Sequence, residues 1–261
     1  MNVNTSTNFT LGQMRPEIAA GGFARDSGAI GFYTRVNALL SPDMVVIDLG
    51  AGRGEIFDAW PAYPARLARL QGKVRRVIGL DVDAAIAQHP YLDEQHVMAP
   101  DAAWPLADES ADLIVADWVL EHVADPSLLA REVRRVLKPG GWFCARTPNR
   151  WGYVGMGARL VPNSLHSVIL RKFWPDRQAK DVFPTVYRLN SLRDVRKHFS
   201  APHWRNASYV HHATPKYYGR SKLMFDLISA FQAIAPKWIQ TDLLLFVQRT
   251  AAAALFLAVA T

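Results

Sequence analysis

The chain has 261 residues, of which half are apolar and a fifth are charged, as expected for a globular protein with a sizeable core. Its single cysteine, Cys144, excludes a disulfide framework and a cysteine metal cluster. No apolar run reaches the ~20 residues of a transmembrane helix, and the first ten residues lack the pattern of a signal peptide. We therefore expect a cytoplasmic protein.

Charge is distributed unevenly along the chain. Residues 1–145 hold 13 Lys and Arg against 18 Asp and Glu, a net charge of −5, whereas residues 146–261 hold 17 against 5, a net of +12. The asymmetry predicts an acidic partner for the second part, such as a phosphate, a carboxylate, an anionic membrane surface or nucleic acid. A solvated basic face is the alternative interpretation.

Strand and helix patterns alternate through the first part, which is typical of a parallel sheet covered on both faces. A loose arm covers residues 1–28, and apolar residues at helical spacing predict a helix over 29–40. The predicted strands cover residues 44–49, 74–80, 96–98, 112–116 and 142–146. One predicted helix begins near Arg53, and three others cover residues 65–70, 83–88 and 125–137. The last of these has Asp125 as its N-cap.

The pattern loosens after residue 149. An insertion over 150–204 is too long for an idle loop and is expected to form a substrate lid, with helices over 165–173 and from Ser191 to about 199. Residues 205–250 hold a strand over 205–211, a helix over 218–235 and a last strand over 241–248. An apolar tail over 251–261 is expected to pack on the domain or on a membrane surface.

Three glycines at alternate positions, Gly50, Gly52 and Gly54, follow the first strand. Glycine permits unusual backbone angles and close approach of a ligand. A nicotinamide-binding motif would place glycine where this chain has Glu55, which argues against that cofactor. A bare turn without a ligand is the other alternative.

Further motifs follow in a fixed order. They are Val77-Ile78-Gly79-Leu80-Asp81, Asp101-Ala102-Ala103-Trp104-Pro105-Leu106, Asp112 to Val123, and Leu137-Lys138-Pro139-Gly140-Gly141. Together with the glycine loop they resemble the class I S-adenosylmethionine-dependent methyltransferases over residues 22–149. Within that class the chain is most similar to enzymes that methylate small molecules, quinones, sugars and lipids.

The resemblance implies an α/β fold. Its doubly wound, Rossmann-like sheet would have seven strands, mostly parallel with an antiparallel last strand, and a substrate-covering insertion after strand 5. The implied cofactor is S-adenosyl-L-methionine.

The resemblance also implies roles for individual residues. Asp81 would bind the ribose hydroxyls, and Asp101 and Ala102 would contact the adenine. Asp48 would orient the glycine loop and the methionyl ammonium, while Asp117 would face the methionyl end or the reacting centre. The predicted cofactor-binding set is Asp48, Gly50, Ala51, Gly52, Asp81, Val82, Asp101, Ala102 and Asp117. Each aspartate has the alternative role of a turn or helix-cap residue.

A base is needed if the acceptor is an oxygen atom. His122 is the candidate, since an unperturbed histidine titrates near ~6.5, and Glu121 is the alternative. The pair has an equally acceptable interpretation as packing residues. Asp117 with Glu121 is a poor carboxylate cluster, so no metal is predicted.

Aromatic and basic residues in the insertion favour an anionic substrate with a flat or saccharide part. They are Trp151, Tyr153, Phe173, Trp174, Phe183 and Tyr187, with Arg150, Arg159, Arg171, Lys172, Arg177 and Arg188. The leading hypothesis is methyl transfer to an O or N atom of an anionic small molecule, such as a saccharide or lipid-linked intermediate. The alternatives are an RNA methyltransferase and a catalytically silent cofactor-binding scaffold; the oligomeric state is left open.

Overall fold

A computed structural model describes residues 10–100, 102–160, 184–215, 218 and 221–251. Its centre is a mixed sheet with the strand order β3-β2-β1-β4-β5-β8-β6, and β7 also pairs with β8. The strands are β1 (Val45–Leu49), β2 (Arg76–Asp81), β3 (Glu94–Val97), β4 (Ala111–Asp117), β5 (Leu137–Pro148), β6 (Trp204–Asn206), β7 (Tyr209–His211) and β8 (Asp242–Arg249).

Five neighbouring strands are parallel, and β8 runs antiparallel to β5. The predicted mixed sheet with an antiparallel last strand is therefore confirmed. The predicted sixth strand is divided into β6 and β7, which both pair antiparallel with β8. The interruption lies at residues 207–208, where the hydroxyl of Ser208 accepts the Phe246 N–H in place of a backbone carbonyl.

Helices cover both faces of the sheet. They are α1 (Leu11–Met14), α2 (Gly28–Leu39), α3 (Ile56–Ala59), α4 (Ala62–Ala68), α5 (Pro126–Val136), α6 (Tyr153–Leu160), α7 (Leu192–His198) and α8 (Lys222–Ile234). Short 3₁₀ helices cover Pro16–Ala19, Ala84–Gln88, Leu120–His122 and Lys237–Ile239. Residues of α5 and α7 belong to the apolar cluster on one face of the sheet, and residues of α2 and α4 belong to the cluster on the other.

Local signals explain where several helices begin. The Asp125 carboxylate accepts the backbone N–H groups of Ser127 and Leu128, and the Ser191 hydroxyl accepts that of Asp194, so both predicted N-caps are present. The predicted helix near Arg53 instead begins at Ile56 and lasts four residues. Proline has no N–H to donate, and Pro61 precedes the next helix as its N-cap.

Other boundaries differ from the prediction. The arm contains α1 and a 3₁₀ turn rather than loose chain, α4 begins at Ala62 rather than residue 65, and β3 begins two residues early at Glu94. The helix predicted over 165–173, residues 161–183 of the insertion and residues 252–261 of the tail lie outside the described residues.

Helix α8 presents apolar side chains to solvent as well as to the core. Phe225 and Gln232 are buried on one side of it. Leu223, Leu227, Phe231 and Ile234 are exposed, and at 3.6 residues per turn they lie within an arc of about 80° on the opposite side. No helix in the described part of the chain is long and apolar enough to cross a membrane.

Candidate functional site

The glycine loop follows β1 in the left-handed backbone region. The φ angles of Gly50, Gly52 and Gly54 are +69°, +55° and +78°. A Cβ atom on Gly50 would lie 2.4 Å from Cγ2 of Val119, whereas one on Gly52 would meet nothing within 4 Å. The loop backbone is therefore packed at Gly50 and open to a ligand at Gly52.

Asp81, the last residue of β2, holds this loop in place. Its Oδ2 atom accepts the Gly52 N–H at 2.7 Å, and its Oδ1 atom accepts the Asp83 N–H at 2.8 Å. The residue is 7% exposed. Each carboxylate oxygen keeps a second lone pair, so the group can still accept hydrogen bonds from a ligand.

Two further predicted residues lie beside this carboxylate along the chain. The Ala51 N–H donates to the Leu80 carbonyl oxygen at 3.4 Å, next to the 2.6 Å bond from Gly50. Val82 follows Asp81 directly and is 42% exposed, which is unusual for an aliphatic side chain at the end of a buried strand.

Three carboxylates stand at or near the carboxyl ends of adjacent strands: Asp81 on β2, Asp48 on β1 and Asp117 on β4. Burial, followed by repulsion from Asp117 and Asp81, raises the pKa of Asp48 to about 7. No described residue donates a hydrogen bond to the Asp48 side chain. Such a cluster stabilises a cation and disfavours an anion.

Arg146 of β5 neutralises one of these acids. Its Nε atom donates to Oδ1 of Asp117 at 2.7 Å, and one terminal nitrogen donates to Oδ2 at 2.8 Å. Burial alone would lower the pKa of Arg146, but the paired carboxylate raises it instead. We did not single out this residue from the sequence, although a charged residue ending an apolar strand signals a buried partner.

Aromatic residues surround the ion pair. The Tyr33 hydroxyl donates to Oδ2 of Asp117 at 3.2 Å, and burial with the charges of Asp117 and Asp48 raises the pKa of Tyr33. The Arg146 guanidinium lies 5.8 Å from the Trp60 ring centroid and 5.5 Å from that of Trp118. Trp118 has a φ of +61°, a strained conformation for a bulky residue and one that is common at functional sites.

Glu121 belongs to a buried hydrogen-bonded network. The Thr147 hydroxyl donates to its Oε2 atom at 2.8 Å, and the Asn190 amide donates to Thr147 at 2.7 Å. The Glu121 carbonyl accepts the N–H groups of Val186 and Tyr187. This network connects the end of β5 to the chain that returns from the insertion, which favours a structural role for Glu121.

His122 is less buried than Glu121. Its Nδ1 atom lies 2.9 Å from the Pro184 carbonyl oxygen. A carbonyl oxygen can only accept, so Nδ1 carries the proton and Nε2 is the basic nitrogen of the neutral ring.

The adenine-binding prediction is tested least by the structure. Asp101 lies outside the described residues, and the Ala102 N–H donates to the Ala99 carbonyl oxygen at 3.2 Å. Within the described ranges, no group of three or more His, Cys, Asp or Glu side chains could hold a metal ion.

Comparison with known proteins agrees with this arrangement. The sheet order and the position of the glycine loop are those of a doubly wound, Rossmann-like fold. A solved geranyl diphosphate methyltransferase, in complex with GPP and sinefungin, superposes with a TM-score of 0.50 at 16% identity over 85% of this chain and 77% of that one. This likeness shows the fold.

Sequence comparisons find similarity to methyltransferases. Residues 47–145 match the family described as "Methyltransferase domain". A probable S-adenosylmethionine-dependent methyltransferase of Mycolicibacterium smegmatis is 39% identical over 110 residues, 40% of this chain and 38% of the relative. An uncharacterized methyltransferase of Mycolicibacterium vanbaalenii is 28% identical over 239 residues, 91% of this chain and 84% of the relative.

A ubiquinone biosynthesis O-methyltransferase of Sodalis glossinidius is 29% identical over 136 residues, 47% of this chain and 52% of the relative. The chain thus spans between two-fifths and about half the length of the first curated relatives it matches. Residues 47–145 therefore form a methyltransferase domain, and the similarity to an S-adenosylmethionine-dependent enzyme agrees with the resemblance found in the sequence.

Proposed function

We propose that this chain transfers the methyl group of S-adenosylmethionine to an O or N atom of an anionic small molecule. One observation carries the proposal: three carboxylates stand at or near the ends of adjacent strands, at the same edge of the sheet as a left-handed glycine loop that is open at Gly52. The cofactor carries a sulfonium and an ammonium group, and a negative site attracts both charges. When bound, it supplies a methyl group already activated for displacement.

The chain's own residues would bind the cofactor as follows. Asp81 accepts from the ribose hydroxyls while it holds Gly52, and Asp48 pairs with the methionyl ammonium. Gly50, Ala51, Gly52 and Val82 line the same end, with Asp101 and Ala102 at the adenine. Asp117, held by Arg146 and Tyr33, presents its carboxylate oxygens at the reacting end in a fixed orientation.

Positioning supplies much of the catalysis, because holding the acceptor in the correct geometry can lower the activation barrier by up to ~7–11 kcal/mol. For an oxygen acceptor, Nε2 of His122 would remove the proton, since Nδ1 is oriented by Pro184. A nitrogen acceptor that is already neutral would need no base. We assign cofactor binding to a core over 29–149 and substrate covering to a lid over 150–204. The segment over 205–250 completes the sheet.

Calorimetry with S-adenosylhomocysteine tests the cofactor site. We expect micromolar binding to the wild type, near −8 kcal/mol, and at least a tenfold loss in Asp81→Asn. The matched control is Asp83→Asn, two residues away and capping the 3₁₀ helix by accepting the Ala85 N–H, which should keep affinity within threefold. No binding by folded wild type would remove the cofactor assignment.

Membrane contact is the second part of the proposal, and the exposed face of α8 supports it. Leu223, Leu227 and Ile234 face solvent, and Lys237 follows the helix, in the part of the chain with a net charge of +12. Lys222 also lies on this helix, where it pairs with Asp226. An apolar face with basic neighbours suits the surface of an anionic bilayer, where a lipid-linked acceptor would be found.

Vesicle sedimentation tests this contact. Vesicles with a third of phosphatidylglycerol should retain the wild type, whereas Leu227→Gln with Ile234→Gln should lose most of the binding. Equal retention of both proteins would exclude α8 as the contact. RNA as the substrate would instead be favoured by filter binding with a steep salt dependence.

A further inference from the structure

A cavity lies at the end of β5, outside the cluster of Asp48, Asp81 and Asp117. Its volume is about 510 Å³, which is within the usual range for small-molecule sites. The lining residues are Arg150, Trp151, Ser191, Arg193, Asp194 and Lys197. Three cations therefore face a single carboxylate, and the cavity carries a net positive charge.

The backbone of Arg150 is anchored by a hydrogen bond, but only part of its guanidinium group has a hydrogen-bond acceptor among the described residues. Its backbone N–H donates to the Asn190 carbonyl oxygen at 2.8 Å. One terminal nitrogen reaches Oδ2 of Asp194 at a long 3.3 Å, and the same oxygen accepts the Ser191 hydroxyl at 2.7 Å. The Nε atom is buried and has no hydrogen-bond acceptor among the described residues. A buried donor without an acceptor indicates a missing ligand, water or ion.

The other two cations are one helical turn apart on α7. Arg193 and Lys197 are both exposed, and neither has a carboxylate within ion-pair distance in the part of the chain that the structure describes. Two like charges at this spacing repel each other weakly, and an anion lying between them would remove that repulsion. Trp151, 43% exposed and 5.5 Å from the Arg150 guanidinium, forms an aromatic wall.

The cavity lies at the same edge of the sheet as the cofactor site. It opens beyond Pro148, at the carboxyl end of β5, and β5 is the neighbour of the strand that ends in Asp117. Asn190, which anchors Arg150, also donates to Thr147, and Thr147 donates to Glu121, the residue before His122. A short buried network thus runs from the cavity wall to Glu121, which precedes the proposed base in the chain.

We infer that this cavity binds the phosphate or carboxylate group of the acceptor, with the flat or apolar part of that molecule against Trp151. The identity of the bound molecule as the acceptor rests on the proposed methyl transfer, but binding of an anion does not. An anion would lie among the Arg150 guanidinium, Arg193 and Lys197 and accept hydrogen bonds from them. The same chemistry would also hold a free anion that regulates the enzyme.

Calorimetry with pyrophosphate at constant ionic strength tests the cavity. We expect the wild type to bind, and Arg193→Gln with Lys197→Gln to weaken binding at least tenfold. Arg196→Gln is the matched control, since it removes the same charge from the same helix outside the cavity. It should change affinity less than twofold. Equal losses in both variants, or no binding by wild type, would overturn the inference.

A second arm distinguishes the two sources of the anion. Once an acceptor is found with labelled S-adenosylmethionine, pyrophosphate should compete with it and raise its KM, and the double variant should raise KM with kcat little changed. Non-competitive inhibition would overturn the acceptor assignment. S-adenosylhomocysteine binding measured on the same samples separates the two proposals, because it reports on the cofactor site alone.

Discussion

Arg146 and Asp117 lie directly opposite each other in the register of β5 and β4, and two hydrogen bonds of 2.7 and 2.8 Å join their side chains. Both side chains are nearly buried, at 5% and 12% exposure. The pair therefore combines two tasks. It joins two central strands, and it fixes a carboxylate at the edge where the cofactor is expected.

The pair predicts that replacing Arg146 by lysine is not a conservative change. Lysine cannot form the two parallel hydrogen bonds or stack between Trp60 and Trp118. We expect Arg146→Lys to lower the free energy of unfolding by about 2–4 kcal/mol, towards the cost of breaking a buried pair. Urea denaturation measures it. Arg76→Lys, in the exposed pair with Glu94, should cost less than about 1 kcal/mol; equal effects would contradict the prediction.

Asp48 predicts a pH-dependent stability. In the folded protein its pKa is about 7, whereas an unfolded chain has about 3.9. The folded state therefore binds more protons between these values, and Asp48 lowers stability as the pH rises from 4 to 7. The free energy of unfolding of Asp48→Asn should exceed that of the wild type by ~1–3 kcal/mol at pH 8. This difference should vanish near pH 4.

Thermal unfolding at several pH values measures this difference. Asp43→Asn is the control, because the hydroxyl of Ser41 lowers the pKa of the exposed Asp43 carboxyl, so its loss should not stabilise the protein at pH 8. If Asp48→Asn showed the same gain at pH 4 and pH 8, the stabilisation would have a cause other than ionisation.

The two glycines of the loop should respond differently to alanine. Gly50→Ala combines a positive φ with a clash against Val119, so we expect a loss of stability of ~2–4 kcal/mol. Gly52→Ala has only the backbone cost of ~1–2 kcal/mol, but its methyl group would enter the open side of the loop. It should lose S-adenosylhomocysteine binding while it stays folded; wild-type affinity in Gly52→Ala would show that the ligand lies elsewhere.

Glu121 and His122 should separate stability from turnover. Glu121→Gln disturbs a buried, charge-assisted hydrogen bond with Thr147 and should lower the free energy of unfolding by ~1–3 kcal/mol. His122→Ala should lose no more than ~1 kcal/mol of stability, but slow transfer to an oxygen acceptor by ~10²–10⁴-fold. Denaturation and turnover measured on both variants distinguish the structural role from the catalytic one. The reverse result, with Glu121→Gln inactive but stable, would make Glu121 the base.

Much of the fold could be predicted because its signals are local. Asp125 and Ser191 cap helices where expected, and the apolar runs of β1, β2, β4 and β8 were recognised within two residues. The short helices α3 and α4 were placed poorly, because proline at residue 61 divides a weak pattern. The division of the sixth strand depends on a bond from Phe246, nearly forty residues away, which no local pattern reveals.

Part of the candidate site could be predicted in the same way, from local signals. Asp48, Asp81 and Asp117 were expected together, since the carboxyl ends of parallel strands meet at one edge of the sheet. Arg146 was missed although its place opposite Asp117 could have been read from two adjacent strand ends. The strained backbone of Trp118 and the network of Glu121 with Asn190 arise only after distant segments pack, so the sequence alone could not reveal them.

The antiparallel strand β8 limits how this protein can be divided or recombined. The family match ends at residue 145, but β5 forms seven registered pairs with β8, and Leu243, Leu245 and Val247 complete the core. Cutting the chain at 145 would remove Arg146 and leave an unpaired, apolar sheet edge, which invites aggregation. Hybrids with related enzymes should therefore exchange residues 28–249 as one unit. The alternative is to exchange only the insertion over 150–204.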